Sequence, residues 1–537
     1  MKHVIRTRLA ALALGAVLLG TLFLSACGQQ NDPQTAQSSG QGGNINYGIS
    51  NPWDSLMPYY TVSGSNYSRI IYDKIYDRLA YIQPDGTCLP RAASSWESAE
   101  EGRAILFHLD EKAAFHDGTP VTAQHWVETL GLVTDPACEI LGRGTFACLT
   151  GTDENGAAVA GETLGAEAVD EHTLKLTFKD PVVPEEFLVD KNREIYVLPT
   201  HLLKDIAPAD LVNDDFWLSP VGSGPCKYVS EVSGSSLVLA SNPDYQLGAP
   251  GFDTLTITVM DKSNLLTALI AGDLDYYTFG GNLSEENRPV AEKAGFTVQE
   301  GTVPGTFYEL MLNNETLSDA GLRRGIEAAL DKDLLCQQNA GTRGSVTVSS
   351  ILPDTPYSGP AGRSNYNPER AKTLLTNAGY QGETYTLACT SQRASLAALV
   401  QQNLADVGFK VEIETVDSAT MFAGMNDGTY DMALASHTPT SLPLWFTGVR
   451  LTPQNNIFRV ADLSEYTTLI DAIHQETEQK TRIALVDELE SYLKQEMPFI
   501  PLWFSRSLHV ESKTVTGIDY PAAACSNENV WQWQKKA

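Results

Sequence analysis

Ala92–Trp126, AASSWESAEEGRAILFHLDEKAAFHDGTPVTAQHW, strings a tryptophan-bearing turn, an alternating segment and a Gly-Pro turn into one order. Phe107 and Leu109 alternate with His108 and Asp110, the two-residue period of a half-buried strand. Asp117-Gly118-Thr119-Pro120 then reverses the chain ahead of an amphipathic run. Thr122 stands where a helix N-cap belongs, because its hydroxyl can accept from the first free backbone amides.

Downstream, helices alternate with strands. Asn367-Pro368-Glu369-Arg370 supplies an N-cap, a first-turn proline and a first-turn acid; Leu374, Leu375 and Ala378 form an apolar face and Gly379 stops the helix. A second helix, Ser395 to Val407, ends at Gly408, after which Phe409, Val411 and Ile413 alternate with charged residues as a strand. Asn264 to Ala271 repeats the scheme, with Gly272 leading into Leu274 and Tyr276. Leu322, Ile326 and Leu330 recur at helical spacing after Asn313-Asn314. A long helix over Glu478 to Gln495 precedes Pro498 and a short apolar strand, Ile500 to Phe504. Helix, glycine, strand in repetition is the pattern of an α/β fold. With 537 residues, 42% of them apolar, the chain exceeds one ordinary core, so two or more lobes are expected.

At the N-terminus, Lys2, Arg6 and Arg8 precede an apolar run from Leu9 to Gly20 and then Leu24-Ser25-Ala26-Cys27. This predicts a lipoprotein signal peptide over 1–26, with the Cys27 thiol carrying diacylglycerol. The run is too short for an ordinary membrane span, and no later stretch is long enough. Residues 27–43, polar and small, read as a flexible tether. The net charge of −29 argues against nucleic acid or anionic lipid headgroups as partners. Apart from Cys27, seven cysteines remain (Cys88, Cys138, Cys148, Cys226, Cys336, Cys389 and Cys525), so full pairing is impossible. One disulfide is expected, with Cys138 and Cys148 spaced to close a small loop and buried free thiols the alternative. No CxxC, GxSxG, Walker A, HExxH or strand-linked GxGxxG occurs, and a strand and a turn account for His108, His116 and Asp117, so no enzyme and no cofactor is expected.

The opening stretch resembles the signature region of the extracellular solute-binding proteins of family 5, the dipeptide, oligopeptide and nickel receptors of ABC importers. Four later segments resemble the family in the same order: Pro220 to Pro225, with Ser223 for the usual threonine and Cys226 for the usual tyrosine; Leu269 to Asp275; Leu322 to Asp331; and Tyr366 to Tyr380. The resemblance implies a two-lobed, periplasmic-binding-protein-like α/β fold of type II, cluster C-like, with ligand enclosed between lobes. Lobe I would take residues 44–300, including a subdomain at about 59–190, and a C-terminal return at 508–537; lobe II would take 301–507.

By that resemblance the chain is a lipid-anchored receptor on the outer face of the cytoplasmic membrane, at the cell surface or in a periplasm. It would act as a monomer that hands peptides to permease and ATPase subunits. Alternatives are a non-peptide solute, a nickel-type metal chelate, or a sensing receptor not coupled to import. Expected ligand contacts in lobe I are Tyr59, Tyr60 and Phe279. In lobe II they are Asn313, Asn314, Trp503 and Phe504, together with the segment that follows the Tyr430 to Ala435 strand, namely His437, Thr438, Thr440, Ser441, Trp445 and Phe446. Peptide receptors of the family place a tryptophan and an ammonium-pairing aspartate in that segment, where this chain has His437 and Thr440. A hydroxyl cannot replace a buried carboxylate opposite an ammonium.

Overall fold

The computed structural model describes residues 42–60, 66–191, 194–277, 283–359, 364–520 and 529–536. Cys27, the signal segment, Phe279 and Cys525 lie outside them. The first sheet has five strands in the order Tyr276–Tyr277, Asn44–Ile49, Thr254–Val259, Ser236–Ser241 and Cys226–Val232. Asn44–Ile49 runs parallel to both neighbours, and the last two pairings are antiparallel. The signature stretch builds a separate four-stranded sheet from Ala93–Ala99, Ala104–Leu109, Thr173–Thr177 and Ala166–Ala168. There Phe107 and Leu109 are buried and His108 is not, as the alternation requires. Thr122 caps the helix Ala123–Thr134, whose Trp126 is fully buried; the Thr122 amide donates in turn to His125 Nδ1 at 3.2 Å.

The glycines of the Pro220 to Pro225 turn have a steric cause. A Cβ on Gly222 would stand 2.0 Å from the Ile75 carbonyl oxygen, and one on Gly224 would stand 2.7 Å from the Ile75 carbonyl carbon. The turn lies on the C-terminal end of the helix Asn66–Ile75, where the Gly224 amide donates to the Ile75 carbonyl at 2.8 Å. His116 closes the other side: its Nδ1 accepts from the Gly222 amide at 3.1 Å, and its Nε2 donates to the Gly224 carbonyl at 3.0 Å. The Nδ1 bond needs the neutral ring, since a protonated Nδ1 cannot accept. Burial accordingly pushes the His116 pKa down to about 4.

The second sheet has six strands in the order Gly344–Val346, Phe499–Val510, Val298–Leu312, Met432–His437, Thr384–Cys389 and Lys410–Thr415. Val298–Leu312 and Phe499–Val510 form a long antiparallel pair. At one end Val298, Leu508 and Val510 pack with the Leu265, Leu269 and Leu274 cluster beside the first sheet. At the other end the same strands enter the cores on the two faces of the second sheet. The sequence predicts only a short strand at Ile500 to Phe504; pairing with Val298–Leu312 extends it to twelve residues.

A register shift between Tyr308 and Glu309, opposite Trp503 and Pro501, leaves Leu502 as the extra residue. Trp503 therefore joins the face that Ile500 and Leu502 occupy, while Phe504 points into the opposite core with Phe499. The expected Cys138 to Cys148 disulfide is absent: both are free thiols, as are the other four described cysteines. The Cys148 thiol is spent instead on the Thr145 carbonyl, 3.6 Å away within its own helical turn.

His116 makes stability depend on pH. Its folded pKa lies below the usual 6.5, so on acidification the unfolded chain takes up the proton first. Its contribution is intact above pH 6.5 and declines as pH falls toward 4. Thermal melts across that window should show a shallower acid slope for His116→Gln than for the parent; equal slopes would assign the dependence elsewhere.

Candidate functional site

In the second sheet, Thr384–Cys389 runs parallel to both Met432–His437 and Lys410–Thr415, so the C-terminal ends of these strands share one edge. In open α/β sheets ligands gather at such an edge, where loops leave the strands. Here Arg393 follows the first strand, with Nη1 donating to Thr390 Oγ1 at 3.1 Å and Nη2 to Ser436 Oγ at 2.5 Å. Its Nε is buried with no partner, and among the described residues the guanidinium has no carboxylate partner. No ligand contact was expected at Arg393. The available signal was its place in the first turn after a strand of the repeated α/β scheme.

His437 ends the neighbouring strand, whose pairing with Phe307 carries it two residues past Ala435. Its Nε2 lies 2.7 Å from Glu309 Oε1, and its Nδ1 lies 3.0 Å from Arg450 Nη2. A guanidinium only donates, so Nδ1 accepts and the ring proton sits on Nε2, facing Glu309. Glu309 is fully buried. Arg450 lies over the Phe422 and Phe446 rings at 5.5 and 5.9 Å; burial lowers its pKa and Glu309 opposes that shift. Glu309, His437 and Arg450 thus form a chain of charge-assisted bonds in the core beneath the edge, and both ring nitrogens of His437 are occupied.

Most of the aromatic and amide side chains expected at the ligand are committed elsewhere. Trp503 and Phe504 are fully buried in opposite cores, and Phe446 is buried against Phe307 and Phe499. Trp445 is half-buried and donates its Nε1 to the Ser350 carbonyl at 2.8 Å. Asn314 Nδ2 ties together the carbonyls of Leu312, Phe458 and Pro498, and Asn313 bonds to the Tyr430 carbonyl and the Glu315 amide. Tyr59 donates to the Tyr196 carbonyl at 2.6 Å and accepts from its amide at 2.8 Å, inside the first core; Tyr60 packs against that core. Thr440 turns its hydroxyl to the Leu442 amide at 3.3 Å. Thr438 is exposed, and Ser441 is half-buried beside Gly86 of the Gln83 to Thr87 turn, where a Cβ would stand 2.1 Å from Ser441 Oγ.

A second contact joins the cores away from the crossing strands. Glu186, on the helix Pro184–Lys191 whose Phe187 and Leu188 belong to the first core, accepts from Arg482 Nη2 at 2.6 Å and Nε at 3.1 Å. Tyr357, of a second-sheet core, donates to the same carboxylate at 2.7 Å. Arg482 is anchored on its own side by the Ile473 and Glu476 carbonyls. Glu186 has no such local bond among the described residues, so its carboxylate serves the contact between cores.

Removing the imidazole would leave Glu309 buried opposite an empty space. His437→Ala should therefore lower stability by about 3–5 kcal/mol, the usual cost of breaking a buried pair. Denaturant unfolding checks this; a variant of parental stability that has lost only ligand affinity would make His437 a ligand contact instead.

The model of the bacterial extracellular solute-binding proteins, family 5 Middle, matches residues 87–456. The oligopeptide-binding protein AppA of Bacillus subtilis is 25% identical over 457 residues, covering 79% of this chain and 80% of that one. The probable D,D-dipeptide-binding periplasmic protein DdpA of Escherichia coli is 25% identical over 405 residues, 72% of each chain. Among solved structures, the ABC transporter substrate-binding protein CtaP of Listeria monocytogenes superposes with a TM-score of 0.79 at 18% identity, covering 92% of this chain and 100% of that one. Its fold is that of the two-lobed solute receptors. With a family match over most of its length and that fold, the chain belongs to the bacterial extracellular solute-binding proteins of family 5.

Proposed function

We propose that this protein captures peptides for an ABC importer, held to the outer face of the membrane through Cys27, and that the ligand's carboxylate docks on Arg393. The relatives named for oligopeptide and D,D-dipeptide binding support the ligand class, and Leu24-Ser25-Ala26-Cys27 supports the anchor. The observation that carries the reading is Arg393: a guanidinium with a buried, unpartnered Nε at the shared end of parallel strands, in a chain where acids outnumber bases 66 to 37. A carboxylate accepts two bonds from such a fork, whereas Thr440 offers nothing to an ammonium. Recognition accordingly favours the C-terminal end of a peptide over its amine. Closing around ligand requires that the closed form bind better than the open one, and the Glu186, Arg482 and Tyr357 contact ties the two cores together away from the crossing strands.

Native mass spectrometry of the gently purified chain should reveal a family of bound masses that fragment into amino-acid ladders. A single non-peptide or metal-bearing species would overturn the peptide reading. Arg393→Gln should weaken peptide binding by about 1.5–3 kcal/mol, the usual worth of a bond to a charged group, and C-terminal amidation of the peptide should weaken the parent comparably while adding little to the variant's loss.

Glu186→Ala should speed ligand release roughly tenfold, as expected for losing one charge-assisted contact between the cores. Stopped-flow displacement reads that rate, and an unchanged rate would remove the contact from the closing mechanism.

A further inference from the structure

A cavity of about 470 Å³ opens in the second lobe, and every residue lining it belongs to that lobe. Its walls come from the helices Ala320–Ala329 and Gln479–Glu496, the Val348 to Ser350 loop and the start of the strand Phe499–Val510. Phe499 contributes to it, whereas Phe504, five residues on, pairs with Phe307 beside His437. Five residues of strand span roughly 17 Å, so cavity and strand-end edge sit toward opposite ends of the sheet.

Charge in the cavity is divided by depth. Glu327 is buried and committed, accepting from Lys332 Nζ and from Asn365 Nδ2, each at 3.0 Å. Glu490 is nearly buried; burial raises its pKa, against a bond from Ser349 and Lys494 Nζ at 3.9 Å. The groups that reach solvent are cations: Arg370 and Lys494 are exposed, and Arg324 is half-exposed. Among the described residues neither Arg324 nor Arg370 has an ion-pair partner, and the only side-chain bond of Arg324 is to the Ala320 carbonyl of its own helix. Two unpaired arginines converging on one cavity is unusual where acids outnumber bases 66 to 37. A guanidinium fork matches a carboxylate or phosphate, and the apolar floor of Leu493 and Met497 suits a small ligand with a hydrocarbon body.

We infer that this cavity is a second ligand site, separate from the inter-lobe cleft, for a small anion bearing carboxylate or phosphate groups held by Arg324, Arg370 and Lys494. Calorimetric titration of the full chain in non-ionic detergent, with citrate and separately with inorganic phosphate, tests it. Saturable binding of at least one is expected; citrate alone would mark a carboxylate site and phosphate alone a phosphate site. The double variant R370E/K494E, altered only at exposed positions, should lose about tenfold or more in that affinity, and R370Q a smaller factor, with circular dichroism confirming the fold of each. R393Q should bind the anion as the parent does, which separates this site from the proposed peptide carboxylate contact. The inference is overturned if the parent binds neither anion saturably, if R370E/K494E binds undiminished, or if R393Q abolishes binding.

Discussion

The antiparallel pairing of Val298–Leu312 with Phe499–Val510 is the constraint on which the rest depends. One end of the pair is buried with the Leu265 and Leu269 cluster and the other lies in the middle of the second sheet, so a single backbone ladder connects both cores. Its register shifts fall between Glu300 and Pro304, between Pro304 and Thr306, and between Tyr308 and Glu309. Bulges interrupt ladder bonds and bend strands, and the first two of these shifts fall in the interval between the cores, where this pair is less tied. Two cores joined by a locally loosened ribbon can change their mutual angle while each keeps its packing, which is the physical requirement for a cleft that closes.

The last of these shifts also sets the chemistry of the second core. By placing Trp503 on the same face as Leu502, and so Phe504 on the other, it puts an aromatic in each core; on the facing strand Glu309 shares the face of Phe307, opposite which His437 ends its strand. A buried carboxylate so placed needs a donor, and the ring supplies one while its other nitrogen accepts from Arg450. The position that family resemblance implicates in ligand binding is therefore used to support the strand-end edge from below. Arg393 on that edge is left with hydrogen-bonding capacity unspent.

How far the site was legible follows from particular residues. Thr122, Asn367 and Gly379 act within a few residues of themselves, and each takes the capping or stopping role its type and place indicate. Tyr59, Asn314, Trp503 and Phe446 are of types that line clefts and cores alike, and the pattern around them does not distinguish the two. Burial and bond partners decide, and these come from segments more than a hundred residues away: Tyr196 for Tyr59, Phe458 and Pro498 for Asn314.

The sequence by itself determined the α/β grammar, the half-buried strand at Phe107 and the ends of the helices, because each rests on local backbone sterics or on short periodicity; the turn at 220–225 was legible through the family resemblance, and its glycines take their steric cause from Ile75, far away in sequence. Only the tertiary structure decided that Arg393 keeps an unpartnered nitrogen, that His437 is held between Glu309 and Arg450, that Glu186 bridges to Arg482 across 296 residues, and that Cys138 and Cys148 stay apart. Those outcomes depend on strand register and on which loops meet in space. A one-residue slip turns every side chain of a strand to its other face, and no local pattern in a strand such as Phe499–Val510 encodes where its bulge will fall.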